Sequence, residues 1–87
     1  MQDLGIKIAV VDNGFVYVGR VVEEEHYYVI TNCLNVRKSA TTNGFGQLAI
    51  EGPQKGSALD PCPPVMVPKN RLCHFIECNG VWMKHVK

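Results

Sequence analysis

The sequence predicts a mainly β (α+β) domain: a small barrel of five to six short strands with one short helix. Three observations lead there. Runs of β-branched and aromatic residues recur along the chain with polar turns between them, which is the pattern of half-buried strands. Two Asn-Gly dipeptides, Asn13-Gly14 and Asn79-Gly80, stand between such runs, and Asn-Gly between apolar segments signals a hairpin. Only the stretch around Phe45, Leu48, Ala49 and Ile50 places apolar residues at helical spacing.

Taken in order, Ile6 to Val11 and Phe15 to Val22 form the first two strands, joined through Asp12-Asn13-Gly14 in a type I′ hairpin turn. Glu23-Glu24-Glu25 makes a solvated, charged tip, which also discourages pairing with foreign sheets. His26 to Thr31, continuing towards Cys33, returns as a third strand and completes a meander. The small polar residues from Ser39 to Asn43 then lead into the helix, which Thr42 or Asn43 caps and which Gly52 and Pro53 stop. Gly52 to Pro64 reads as a long surface loop. Val65 to Val67, a turn at Pro68-Lys69-Asn70, and Arg71 to Cys78 restore strand character, and Asn79-Gly80 turns into a last strand over Val81 to Val86.

With 87 residues, the chain is one domain spanning 1–87, since a chain this short buries only roughly 60 to 65% of its unfolded surface. So thin a core calls for a second source of stability, for which the candidates are the four cysteines or self-association, and a homo-oligomer is expected. Composition is globular, with 46% apolar residues, 20% charged residues and a net charge of +1. Neither disorder nor the coating of a polyanion fits that balance. The charge is unevenly spread, −3 up to Val36 and +4 from Arg37 onward, so an anionic ligand is expected to meet the second half. No run approaches the roughly 18 apolar residues of a membrane span, and the N-terminus has no signal-peptide pattern, so no membrane partner is expected. Cys33, Cys62, Cys73 and Cys78 are expected as reduced thiols that pack like small hydrophobes.

Two resemblances follow from the strand placement. Val16 to Val22, followed by a polar tip and Tyr28-Val29-Ile30-Thr31-Asn32, resembles the first half of an Sm-like strand pattern, and Val65 to Ile76 resembles its closing two strands. These features imply a barrel of the SH3 or Sm kind. Gln47-Leu48-Ala49-Ile50-Glu51-Gly52, set between a small-residue stretch and a loop rich in proline and cysteine, is similar to a family of uncharacterised small proteins of tailed bacteriophages. That similarity covers most of the chain and implies a phage origin and the host-cell cytoplasm.

Arg37-Lys38-Ser39-Ala40-Thr41-Thr42-Asn43-Gly44 places two cations, three hydroxyls and a glycine before the helix. Either this is an ordinary capped helix start with solvated neighbours, or the helix terminus receives a phosphate or carboxylate. It lacks the spacing of a Walker loop, so nucleotide hydrolysis is not indicated. Tyr27 and Tyr28 face opposite sides of their strand, which frees one of them to stack on a ligand. The candidate ligand-binding set is Tyr28, Arg37, Lys38, Ser39, Thr41, Thr42, Asn43, Gly44 and Gln47. The four cysteines and His74 lack paired Cys-x2-Cys knuckles, and Cys73 and His74 alternate across a strand, so no metal site is expected. No cofactor is expected either. No constellation of nucleophile, base and orienting group stands out, so the chain is expected not to be an enzyme.

Together these expectations describe a phage-encoded, non-enzymatic, homo-oligomeric anti-defence protein that binds or sequesters a small anionic ligand of nucleotide type. The alternatives are an Sm-like single-stranded RNA binder, against which the near-neutral charge counts, and a protein that inhibits a host protein by direct contact.

Overall fold

The computed structural model describes residues 1–86. In chain order it contains β1 (Gln2–Val11), β2 (Val16–Glu23), β3 (Tyr27–Lys38), α1 (Phe45–Glu51), β4 (Ala58–Cys62), β5 (Val65–Pro68), a 3-10 turn (Lys69–Arg71), β6 (Leu72–Glu77) and a C-terminal 3-10 helix (Gly80–Lys84). The chain is mainly β, with six antiparallel strands in one sheet and one short α-helix. The strand order is β4-β3-β2-β1-β6, and β5 also pairs with β3. Among the described residues no helix is long and apolar enough to cross a membrane.

The meander of the first three strands follows the sequence pattern, but its first turn does not take the expected type I′ form. Val11 N donates to Phe15 O at 3.0 Å and Gly14 N to Val11 O at 2.9 Å. Gly14 has a φ of 88° while Asn13 keeps a negative one, so the loop is a three-residue turn closed by a left-handed glycine. Asn13 contributes through its side chain, whose Oδ1 accepts from Phe15 N at 3.0 Å.

Three further segments depart from the sequence expectation. β3 runs on to Lys38, so Arg37 and Lys38 lie on a strand. The stretch expected as an irregular loop, Gly52 to Pro64, contains β4, whose residues pair from Cys33↔Cys62 to Lys38↔Ala58. Pro61 within β4 is tolerated because β4 is an edge strand, where a missing N–H faces outward. Lastly, Val81 to Val86 is not a strand. Asn79 Oδ1 accepts from Val81 N at 2.8 Å, starting a 3-10 helix in place of the expected hairpin. The reason is Trp82, which is fully buried and donates its Nε1–H to Leu48 O at 2.9 Å. That hydrogen bond and the burial of the ring outweigh what a further solvent-side strand would supply.

Both faces of the sheet are apolar. On one, Ile8, Val16 and Val18 pack with Leu48 and Ala49 of α1 and with Trp82 and Val86. On the other, Ala9, Val11, Val21, Ile30, Cys33 and Val67 meet one another. Strand alternation feeds both clusters: even-numbered residues of β2 reach the first face and odd-numbered ones the second. In β3 the phase switches, with Tyr28 and Ile30 but also Cys33 on the second face. Asn32, in left-handed conformation with a φ of 49°, sits at that switch. There β3 also changes partner, from β5 over Tyr27–Ile30 to β4 from Cys33 onward.

The sheet curls over its second face. Tyr28 of β3 meets Phe75 of β6 edge-on, with ring centroids 4.9 Å apart. In the strand order these two strands are three steps apart, roughly 14 Å in a flat sheet at the usual strand spacing. Gly19 makes the curl feasible, since a Cβ there would lie 2.6 Å from Ile30 Cγ2 and 2.8 Å from Thr31 O.

Candidate functional site

The stretch expected to receive an anion is built largely of internal partners. Arg37 forks onto Asp60, with Nε to Oδ2 at 2.9 Å and Nη2 to Oδ1 at 3.3 Å. This pairing raises the guanidinium pKa and holds the Asp60 carboxyl below its usual range. Lys38 is exposed at the end of β3. Ser39 O accepts from Ser57 Oγ at 2.6 Å, and Thr41 Oγ1 donates to Ser39 Oγ at 3.2 Å. Gln47 Oε1 accepts from Thr42 N at 3.0 Å, Asn43 N at 2.8 Å and Thr42 Oγ1 at 3.2 Å.

Neither Thr42 nor Asn43 is the helix cap. The N-cap is Gly44, without a side-chain hydrogen bond, and Gln47 reaches back past it to accept from Thr42 N and Asn43 N in the loop before the helix. With seven residues, α1 offers little macrodipole of its own. The stop at Gly52 is as expected, with a φ of 82° and its N–H on Leu48 O. The structure thus brings Arg37 through Gln47 together as a self-bonded loop and helix start.

Tyr28 lies elsewhere. It is roughly 30 Å along β3 from Arg37 at the usual rise per residue, and its ring belongs to the second apolar face while α1 covers the first. Phe75 stands against one side of it, and Lys69 Nζ lies 5.5 Å from its centroid. Lys69 is held there by Glu23 at 2.8 Å, so one carboxylate of the Glu23–Glu25 tip is engaged with the turn after β5.

A better-formed recess opens at the mouth of the curled face, between the β1–β2 turn and the β5–β6 connection. Its volume is about 270 Å³, and Val11, Tyr17, Val65, Val67 and Pro68 form its walls. Asp12 and Arg71 stand at the rim, bridged at 3.2 Å, and Asp12 N also donates to Arg71 O at 2.9 Å. The two turns are therefore locked to each other. Phe15, 52% exposed, sets its ring edge-on to Tyr17 at 6.2 Å between centroids. No protein-family model and no curated protein sequence matches this chain. Apolar walls with a few polar groups at the rim are the usual make-up of a small-molecule site. Tyr17, Asp12 and Arg71 lie outside the set expected from sequence. The signal that points to them is a pair of polar turns, Asp12-Asn13-Gly14 and Lys69-Asn70-Arg71, each flanked by strands of the same cluster.

The thiols do not behave alike. Cys33 is buried, Cys62 is half-buried, Cys78 is half-buried against the first face, and Cys73 is exposed rather than packed. Among the described residues no group of three or more His, Cys, Asp and Glu side chains is placed to hold a metal ion. Burial pushes the Cys33 thiol well up, with Cys62 adding to the effect. Burial, then Glu77, pushes Cys78 up to about 12, partly offset by Lys7 and by a backbone hydrogen bond from Ile8. Burial also raises the Tyr17 phenol, with Cys33 and Cys62 contributing. Above about pH 9 the unfolded chain therefore releases protons that the folded chain keeps, so stability is full below that pH and declines above it. The midpoint of urea unfolding is expected to fall steadily between about pH 9 and pH 11, and Cys78→Ala is expected to flatten that slope.

Proposed function

We propose that this chain is a non-enzymatic binding protein with an SH3/Sm-like barrel that takes its ligand in the recess between the β1–β2 turn and the β5–β6 connection. The ligand is small and joins a flat group, which rests on Tyr17, to an anionic group, which meets Arg71. The observation that carries this is the recess itself: apolar walls, an aromatic ring and one cation at the rim, held by turns that are bridged to each other. Nucleotides are the ligand class with that division. The barrel is supported by the Tyr28–Phe75 contact and by a single 3-10 turn joining β5, which pairs with β3, to β6, which pairs with β1 on the far side of β2.

In the setting implied by the phage-family resemblance, the host-cell cytoplasm, such ligands include the signalling nucleotides of host immunity. Binding them without turnover is the anti-defence role we assign. Homo-oligomerisation is supported by the exposed apolar side chains Phe15, Ile50, Met66 and Met83.

The test incubates purified protein with a panel of cyclic and linear nucleotides, followed by native mass spectrometry, which also reports the number of copies per particle. At least one nucleotide is expected to be retained. Arg71→Ala is expected to weaken its binding by about tenfold or more, the loss of roughly one charge-assisted hydrogen bond, while Arg37→Ala leaves it unchanged. No retention across the panel removes the nucleotide. A steep loss of binding with salt points to the backbone of RNA instead.

A further inference from the structure

We propose that Cys33 and Cys62 form a redox-active pair, a site at which a small-molecule disulfide of the glutathione class inserts an intrachain cross-strand disulfide. The two residues are direct partners in the antiparallel register of β3 and β4. Directly opposed residues have Cα atoms about 4.5 to 5.5 Å apart and side chains on the same face, which falls inside the Cα range of disulfides, roughly 4.4 to 6.8 Å. The Cys62 side chain already lies over its partner: Cys62 Sγ donates to the main-chain carbonyl oxygen of Cys33 at 3.5 Å. No other two cysteines are paired in register among the described residues.

Access favours one order. Cys33 and Cys62 both line a surface recess of about 370 Å³, together with Asn32, Leu34, Pro61 and His85. Cys33 is only 2% exposed there, whereas Cys62 is half-buried and presents the more accessible sulfur. Cys62 is accordingly the entry thiol. As a thiolate it attacks one sulfur of the reagent disulfide, forming a mixed disulfide and expelling one reagent thiolate. Cys33 then attacks the Cys62 sulfur, passing its proton to the departing reagent sulfur as it does so, forming the Cys33–Cys62 bond and expelling the second half of the reagent as a thiol. Two protein thiols are oxidised, one reagent disulfide is reduced to two thiols, and the two protein protons end on the two reagent sulfurs. Because β4 is an edge strand, held by β3 on one side only, it can shift as the two sulfurs close from non-bonded contact to a bond of about 2.05 Å.

The experiment equilibrates the full chain in buffers of oxidised and reduced glutathione, alkylates the remaining thiols, and measures intact mass and linked peptides. A species lighter by about 2 Da is expected before alkylation, and it takes up two alkyl groups where the fully reduced chain takes up four. Its linked peptide joins Cys33 to Cys62. A Cys73→Ser/Cys78→Ser double variant is expected to form the same link. Cys62→Ser is expected to leave Cys33 reduced at every buffer ratio, with circular dichroism showing that this variant keeps its strands. The inference is overturned if the folded double variant accumulates no internal link, or if the wild-type chain instead joins Cys73 or Cys78 within or between copies.

Discussion

Trp82→Ala is expected to leave the chain largely unfolded at room temperature. Trp82 is the sole tryptophan and is fully buried. Removing so large a ring from a packed core costs about 3 to 5 kcal/mol, because its neighbours cannot collapse into the space. The indole also donates to Leu48 O at 2.9 Å, worth about 1 kcal/mol more. Leu48 O keeps its bond from Gly52 N at 3.0 Å, so the carbonyl is not orphaned and no larger penalty is added. Domains of this kind have only about 5 to 15 kcal/mol in total, with short chains near the lower end. The effect reaches beyond the ring, since Asn79 N donates to Ala49 O at 3.0 Å and the C-terminal segment thereby closes the end of α1. Far-UV circular dichroism and urea titration provide the check, with Trp82→Phe expected to fold at intermediate stability. A Trp82→Ala chain with the wild-type urea midpoint would mean that the first apolar face is sealed by something other than this ring.

The second large effect is expected at Gly19. An added methyl would meet Thr31 O at 2.8 Å and Ile30 Cγ2 at 2.6 Å. Ile30 could rotate away, but the backbone oxygen can move only if β3 moves, and β3 is paired on both sides. Gly19→Ala is therefore expected to cost about 3 kcal/mol, the upper end for overpacking. Gly46 is the matched control. It lies inside α1 with nothing within 4 Å of the place a methyl carbon would take, so Gly46→Ala is expected to stabilise by about 0.5 to 1 kcal/mol through helix propensity. Equal urea midpoints for the two variants would contradict the close β2–β3 approach.

The strands from Ile6 to Val22 and from Val65 to Glu77 are readable in the sequence because β-branched alternation and polar turns agree there. β4 is not readable. It contains Pro61 and Asp60, and it exists because β3 offers it partners such as Asn35↔Asp60. The last segment misleads for a different reason: Val81-Trp82-Met83 is apolar in any conformation, and Asn79 can start a hairpin or cap a 3-10 turn. At the candidate site, composition marks Arg37 to Gly44 as rich in donors but cannot show that Asp60, 23 residues on, and Gln47 take them up. Nor can it bring Asp12 to Arg71, 59 residues apart, which is what creates the recess.

The two edges of the sheet are chemically unequal. Along the β4 and β5 side, Pro61, Pro63, Pro64 and Pro68 interrupt the row of amide donors, whereas β6, Leu72 to Glu77, has no proline. Fibrillar growth by strand addition requires every molecule to dock on two sides. Here β6 is the rim better fitted for docking, and pairing two molecules through it would leave only proline-interrupted rims outward, which disfavours extension into an amyloid-like stack.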